Sequence, residues 1–227
     1  MTILHPNRGA TASGRPGMVR WLIVGFALLT LAAVAFIGGF QLRAEQPAAA
    51  AAATPSDGSA DAGFARDMQT HHAQAVEMAM LAYRTSRNPH IQVMGYDIAL
   101  TQQAQIGIMS DWLQQWRLLP TGTEPAMAWM PPMPGEQDMI AADGLMPGMA
   151  TPEQMQRLRT VSGHAFDVLF CQLMIRHHLG GIVMIDGLLA AGARPDVRTL
   201  ADGMKAAQQT EISTMTGILD KLGASAS

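Results

Sequence analysis

Met68-Gln69-Thr70-His71-His72-Ala73-Gln74-Ala75-Val76-Glu77-Met78 recurs 106 residues later as Met174-Ile175-Arg176-His177-His178-Leu179-Gly180-Gly181-Ile182-Val183-Met184. Both copies place a methionine, then a histidine pair, then a second methionine at the same spacing. The likeness extends outward without a gap, from Phe64–Trp116 to Phe170–Leu222, with 11 of 53 positions identical. The shared positions include Phe64/Phe170, Pro89/Pro195, Gln102/Gln208, Gln103/Gln209, Ile106/Ile212, Met109/Met215 and Leu113/Leu219. They recur at helical spacing, so the repeat is structural and chemical at once.

Each repeat reads as a helical hairpin. Phe64, Met68, His71, Ala75, Met78 and Ala82 follow the three-and-four rhythm of one helix face. Asn88-Pro89 then offers an N-cap and a proline at the first helical position, starting a second helix that runs to about Leu118. Pro195 plays the same part after Ala191-Gly192. Thr151-Pro152-Glu153-Gln154 is a capping box, from which one long third helix is expected to about Ala191. Nothing alternates with period two. Two antiparallel hairpins bury their apolar stripes most simply as an all-α four-helix bundle, here over residues 61–222 with a short tail at 223–227.

Composition agrees with this. Apolar residues make up 48% of the 227 and charged residues 15%, which supports a packed core and excludes wholesale disorder. Aromatics at 5% argue against an aromatic-rich sandwich or barrel. A net charge of −3 gives no reason to expect nucleic acid as a partner, and one cysteine cannot build a disulfide framework.

Before the bundle, residues 21–40 carry no charge and are long enough, at roughly 30 Å as a helix, to cross a bilayer. Arg8, Arg15 and Arg20 precede this segment and no acid does, so the positive-inside rule leaves residues 1–20 in the cytoplasm. The expected order is therefore a cytoplasmic segment, a transmembrane anchor at 21–42, an Ala- and Pro-containing tether at 43–60, and the bundle outside the cytoplasmic membrane. From residue 44 onward 11 basic side chains face 18 acidic ones. A cleaved signal peptide is the alternative, although this apolar run exceeds the usual length of about 7–15 residues.

The chemistry concentrates on the duplicated string. With His71 at zero on a helical wheel of about 100° per residue, Met78 lies near −20°, Met68 near 60° and His72 near 100°. His71, His72, His177 and His178 are thus candidate nitrogen ligands, and Met68, Met78, Met174 and Met184 candidate sulfur ligands, for a soft ion such as copper. Gln102 and Gln208, on the inward face with Met109 and Met215, are expected to accept hydrogen bonds from imidazole N–H groups. Cys171, Met174 and His178 share a face, with His164 one heptad earlier. They are auxiliary candidates, although Cys171 reads first as a small buried hydrophobe because Ala65 replaces it in the other repeat. The alternative to metal binding is a polar His–Gln network that fixes bundle register.

Between the hairpins, residues 120–150 form a loop rich in Pro, Gly and Met, carrying Met127, Met130, Met133, Met139, Met146 and Met149. The loop reads equally as an apolar cover and as a soft-metal capture site. Imidazole is protonated below about pH 6.5 and thioether is not, so binding that survives at pH 5 is expected to belong to the loop.

Met174-Ile175-Arg176-His177-His178, the preceding Phe166-Asp167-Val168-Leu169-Phe170, and Met146-Pro147-Gly148-Met149-Ala150-Thr151-Pro152-Glu153-Gln154-Met155 resemble the bacterial domain-of-unknown-function family 305. The resemblance covers roughly residues 61–222. It implies a ferritin-like four-helix bundle in a secreted or membrane-anchored protein, with copper handling in Met- and His-rich members. One departure stands out. The family usually carries Gln or Glu, then Gly, after its histidine pair, whereas this chain has Ala73-Gln74 and Leu179-Gly180.

The functional expectation is an anchored, non-enzymatic copper-binding protein for buffering, delivery or resistance, with a metal-receiving protein or a second copy as conceivable partners. A structural or partner-docking bundle is the second reading. A ferritin-like metal oxidase is the third, weakened because no Glu-x-x-His occurs to hold a carboxylate-bridged di-iron centre.

Overall fold

Asn88 and Gly192 shape the two turns about which the chain folds back on itself. In the computed structural model, which describes residues 54–131 and 144–226, they separate α1 (Ala60–Thr85) from α2 (Pro89–Gln115) and α4 (Gly163–Ala191) from α5 (Pro195–Leu222). Asn88 accepts from the His90 N–H ahead of Pro89, satisfying one otherwise orphaned donor of α2. Gly192 closes α4 in the left-handed conformation, and Pro195 opens α5. The described residues are all-helical, with the hairpins α1–α2 and α4–α5 packed together through α1 and α4. The anchor at 21–42, the tether up to residue 53, and Met133 and Met139 lie outside the described residues.

The sequence predicts one long third helix; the chain instead forms α3 (Pro152–Thr160), a break, and then α4. The Thr151–Gln154 capping box does start a helix. Val161 and Ser162 then turn extended, and Gly163 takes a φ of 60°, where a side chain would be strained. Thr160 also bonds back to the Gln156 and Arg157 carbonyls, drawing its hydroxyl into the frayed last turn. The break lets α3 fold over α1, where Met155 and Leu158 enter the core and Arg159 pairs with Glu77.

Every residue of the predicted α1 stripe, from Phe64 through Ala82, is fully buried. Each buried Phe or Met contributes on the order of 1.5–3 kcal/mol, so the stripe holds the hairpins together. At the hinge between α1 and α2, the Ser86 hydroxyl donates to buried Asp167 on α4 at 2.6 Å, linking the two hairpins. Helix α4 is also apolar and long enough to cross a membrane, but 61% of its apolar window is buried inside the bundle.

The loop after α2 is tied down at both of its described ends. Asp67 accepts from the Met127 N–H and the Trp129 indole N–H, both at 2.7 Å. Gln74 both accepts from the Ala150 N–H and donates to the Ala150 carbonyl. Pro147 and Gly148 pass so close to α4 that a methyl group on Gly180 would overlap the Pro147 carbonyl. Residues 146–150 therefore form a strap across the middle of α1 and α4, directly over the histidines.

Candidate metal centre

His71 from α1 and His177 from α4 meet where the two helices pack, with ring centroids 3.8 Å apart and planes tilted by 34°. His72 and His178 follow one residue later, with ring centroids 6.4 and 6.3 Å from those of His71 and His177. All four imidazoles are buried. Burying a polar ring is costly unless its nitrogens are engaged, so each nitrogen needs an account.

The Nε2 atoms are all engaged. His71 donates from Nε2 to the Pro147 carbonyl of the strap at 3.1 Å, and His177 donates to the His71 carbonyl at 3.0 Å. His72 donates to Oε1 of Gln105 at 2.8 Å, and His178 to Oε2 of Glu211 at 2.6 Å. Carbonyl and carboxylate oxygens only accept, so the Nε2 hydrogen is fixed in place, and in a neutral ring Nδ1 keeps its lone pair. In His71, His72 and His178 that buried Nδ1 has no partner.

The partners are not the expected ones. Gln102 and Gln208 are buried on the inward face, but neither amide receives an imidazole N–H, and each Oε1 is unpartnered. Gln105 and Glu211, one helical turn further along, take that role. They are related by the same 106-residue offset as the histidines. They differ in name, but both present an acceptor oxygen to the equivalent histidine. Gln208 instead lies against Gly181, within 2.6 Å of where a Cβ would stand.

Burial holds His71, His72 and His177 neutral. It lowers the His71 pKa from 6.5 to about 4, with the Pro147 hydrogen bond opposing, and the His72 pKa to about 3. His177 is also pushed well below its ordinary value, by burial first and then by the neighbouring histidines. Protons therefore do not compete for the nitrogens of His71, His72 and His177 at pH 5, so binding that survives there would not by itself mark the loop.

Met68, Met78, Met174 and Met184 are all fully buried, but they do not divide as two sets by repeat. Met68 and Met109 share a core cluster with Met184 of the other repeat. Met174 and Met215 share the second cluster with Met78. Each cluster thus draws methionines from both hairpins. The loop's Met127 and Met146 are buried in the first cluster, with Met130 and Met149 packed against it, so the described loop methionines cover the core.

Two auxiliary candidates fall away from this centre. His164 is exposed and bonds to the Leu222 carbonyl at the far end of α4. Cys171 is a free, buried thiol whose pKa burial, helped by the charge of Asp167, raises to about 12. A thiol so held packs as a small hydrophobe. The departure after the histidine pairs also finds its place. Ala73 and Leu179 face solvent, away from the imidazoles, while Gln74 and Gly180 both serve the strap, one by hydrogen bonding and the other by its missing side chain.

This donor set fits a soft ion. Neutral lone pairs on buried imidazoles, each ring oriented by an acceptor on its other nitrogen, are what a metal-ligating histidine presents. No three His, Cys, Asp or Glu side chains among the described residues are grouped to hold an ion, so a centre here would have to draw on thioether sulfur as well.

Comparison with known proteins agrees with the architecture. A protein from Streptomyces coelicolor described as secreted is 38% identical over 75% of this chain and 98% of its own, with a TM-score of 0.67. A fragment from Deinococcus radiodurans is 30% identical over 72% of this chain and 95% of its own, with a TM-score of 0.57. CopM in its Cu(II)-bound form is 26% identical over 72% of this chain and 97% of its own, with a TM-score of 0.53. No curated protein shows significant similarity. The family model described as Domain of unknown function (DUF305) matches residues 61–219, the whole of the duplicated bundle, and the chain belongs to that family.

Proposed function

We propose that this chain binds copper outside the cytoplasm, anchored to the membrane by residues 21–42, and serves in buffering, delivery or resistance. The observation that carries the reading is the set of buried Nδ1 lone pairs on His71, His72 and His178, unpartnered while Nε2 is held. His177 and the thioethers of Met68, Met78, Met174 and Met184 would complete the ligand set, with Met109 and Met215 beside them. Such ligands suit Cu(I) and silver better than iron. CopM, solved with Cu(I), Cu(II) and silver bound, supports a soft metal, and the secreted Streptomyces coelicolor relative supports a location outside the cytoplasm. The chain's own part is to orient each imidazole, exclude water and keep His71, His72 and His177 deprotonated. No catalytic step is proposed. Glu77 is engaged with Arg159 at the surface, and no carboxylate-rich cluster among the described residues supports an oxidase.

The second reading, a docking bundle, draws on Val93, Tyr96, Leu100 and Ile108, which are exposed along one outer face of α2.

Anaerobic Cu(I) titration of the full chain in detergent separates these readings. The wild type is expected to bind Cu(I) tightly, and His71→Gln with His177→Gln to abolish that binding while leaving helical content intact. A Leu replacement of Met127, Met130, Met146 and Met149 tests the loop in the same titration, since a mere cover would leave uptake unchanged. A wild type that takes up no Cu(I) removes the copper reading and favours the docking bundle.

A further inference from the structure

Helices α2 and α5 each pack on the other helix of their own hairpin, which leaves a seam between them. Two hollows of about 340 and 320 Å³ lie end to end in that seam and share His90 and Thr214. Together they make a groove from Asp97 and Glu211 at one end to Lys221 and Leu222 at the other. At about 1.5 Å per residue the groove is roughly 15 Å long, close to three helical turns. Its floor is apolar, with Met94, Ile98 and Ile218, and Val93 stands on the rim with 61% of its surface exposed.

Gly217 lies on the α5 wall of this groove, with Ser213 and Thr214 small beside it. A Cβ on Gly217 would meet nothing within 4 Å. Glycine weakens a helix interior, and the packing of the bundle gives no reason for it here. Gly180 and Gly187 differ, since a side chain there would overlap Pro147 and Met130. What Gly217 does leave is room for a second backbone to approach α5 closely. Gly107 and Gly203 are open in the same way but line neither hollow, so the glycine counts only together with the charges.

Those charges are divided along the groove. Asp97 and Glu211 hold one end and Lys221 the other, and α2 carries no Lys or Arg from Pro89 to Gln115. The Glu211 side chain is 24% exposed even while it accepts from His178, so it is open to a second donor. A helix presents a positive N-terminal end and a negative C-terminal end. One lying with its N-terminus at Asp97 and Glu211 and its C-terminus at Lys221 matches the groove at both ends.

We propose that the α2–α5 groove docks an amphipathic helix of a partner protein, about three turns long, with lysine or arginine in its first turn and an acid in its last. The occupant runs parallel to α5, with its apolar face over Met94, Ile98 and Ile218 and its backbone against Gly217. Docking itself does not depend on the copper reading. On that reading, the bond from His178 to Glu211 places the occupant beside the centre from which metal would be delivered.

Two stapled Ala/Leu helices of about 12 residues serve as probes, one with lysines in its first turn and glutamates in its last, the other with these ends exchanged. Fluorescence anisotropy measures their binding to the full chain in phosphatidylcholine nanodiscs, above that to empty nanodiscs. The first probe is expected to bind at least about 10-fold more tightly than the second. Gly217→Trp, which fills the groove from an open position, is expected to abolish that binding while helical content and Cu(I) uptake stay as in the wild type. Asp97→Lys is expected to weaken it about 10-fold, and decides the matter if Gly217→Trp disturbs the fold. Equal binding of the two probes, binding that survives both substitutions, or no binding of either probe up to about 1 mM overturns the proposal. So does self-association of the wild type that Gly217→Trp removes, which would give the groove to a second copy of the chain.

Discussion

Acid should unfold this bundle through its histidines, and the size of the effect follows from their burial. His71 and His72 are held neutral down to about pH 4 and about pH 3, against 6.5 for an exposed imidazole. Between those values the unfolded chain binds a proton that the folded chain refuses. Stability is therefore at its full value above about pH 7 and falls as the pH drops through 6.5 towards the folded values. At pH 5 each ring costs about 2 kcal/mol relative to pH 7, about 4 kcal/mol for the pair, taking 1.36 kcal/mol per pH unit. His177 adds to the loss in the same direction. A domain of this size holds only about 5–15 kcal/mol in all, so the change would be plain in urea unfolding followed by circular dichroism. The raised carboxyls of Asp61 and Asp67 act in the opposite sense, so the comparison is between the wild type and a His71→Gln/His72→Gln variant, in which they cancel. The wild type should lose about 4 kcal/mol more than the variant between pH 7 and pH 5. Parallel pH profiles, within about 1 kcal/mol of each other, would refute the assignment of buried neutral imidazoles.

Two further outcomes are expected. Gly180→Ala places a methyl group against the Pro147 carbonyl and should cost about 2–3 kcal/mol, with faster hydrogen exchange at the Ala150 N–H; unchanged protection there would remove the strap's close seating. If residues 21–42 are an uncleaved anchor, the membrane-bound protein keeps its amino terminus, and recovery of a soluble form beginning near Ala44 would show cleavage instead.

The helices and the buried stripe were legible because both rest on periodicity, which a single sequence carries in full. Phe64, Met68, His71, Ala75, Met78 and Ala82 had only to be read at helical spacing to be placed inside. The interruption at Val161-Ser162-Gly163 was equally visible, as a β-branched residue, a competing hydroxyl and a glycine in succession. The strong capping box ten residues earlier obscured it by suggesting an uninterrupted start. The hydrogen-bond partners were harder. Gln102 and Gln208 matched by name and drew the attention, whereas Gln105 and Glu211 matched only by chemistry, as acceptors of similar length at the same offset. Comparing repeats by donor and acceptor type would have found them. The strap was beyond such reading altogether, since His71 reaches Pro147 and Gln74 reaches Ala150 across 76 residues with no periodic signal.

The regrouping of the methionines bears most directly on what the bundle can do. Had each repeat kept its own set, a metal would bind within one hairpin and leave the other unaffected. Met184 lies with Met68 and Met109, however, and Met78 lies with Met174 and Met215, so each cluster draws sulfur from both hairpins. On the copper reading, an ion held by an imidazole and these thioethers would tie α1 to α4. Binding of that kind stabilises the assembled bundle over the separated hairpins, by about 2.7 kcal/mol at a hundredfold excess over Kd. It also bears on release. A site whose ligands come from two hairpins opens when the hairpins part, and the strap at 146–150, bonded to α1 through Gln74 and His71 and seated on α4 at Gly180, is the segment that resists that parting. On that reading, uptake and surrender of metal would turn on the same few contacts that close the fold over the buried histidines.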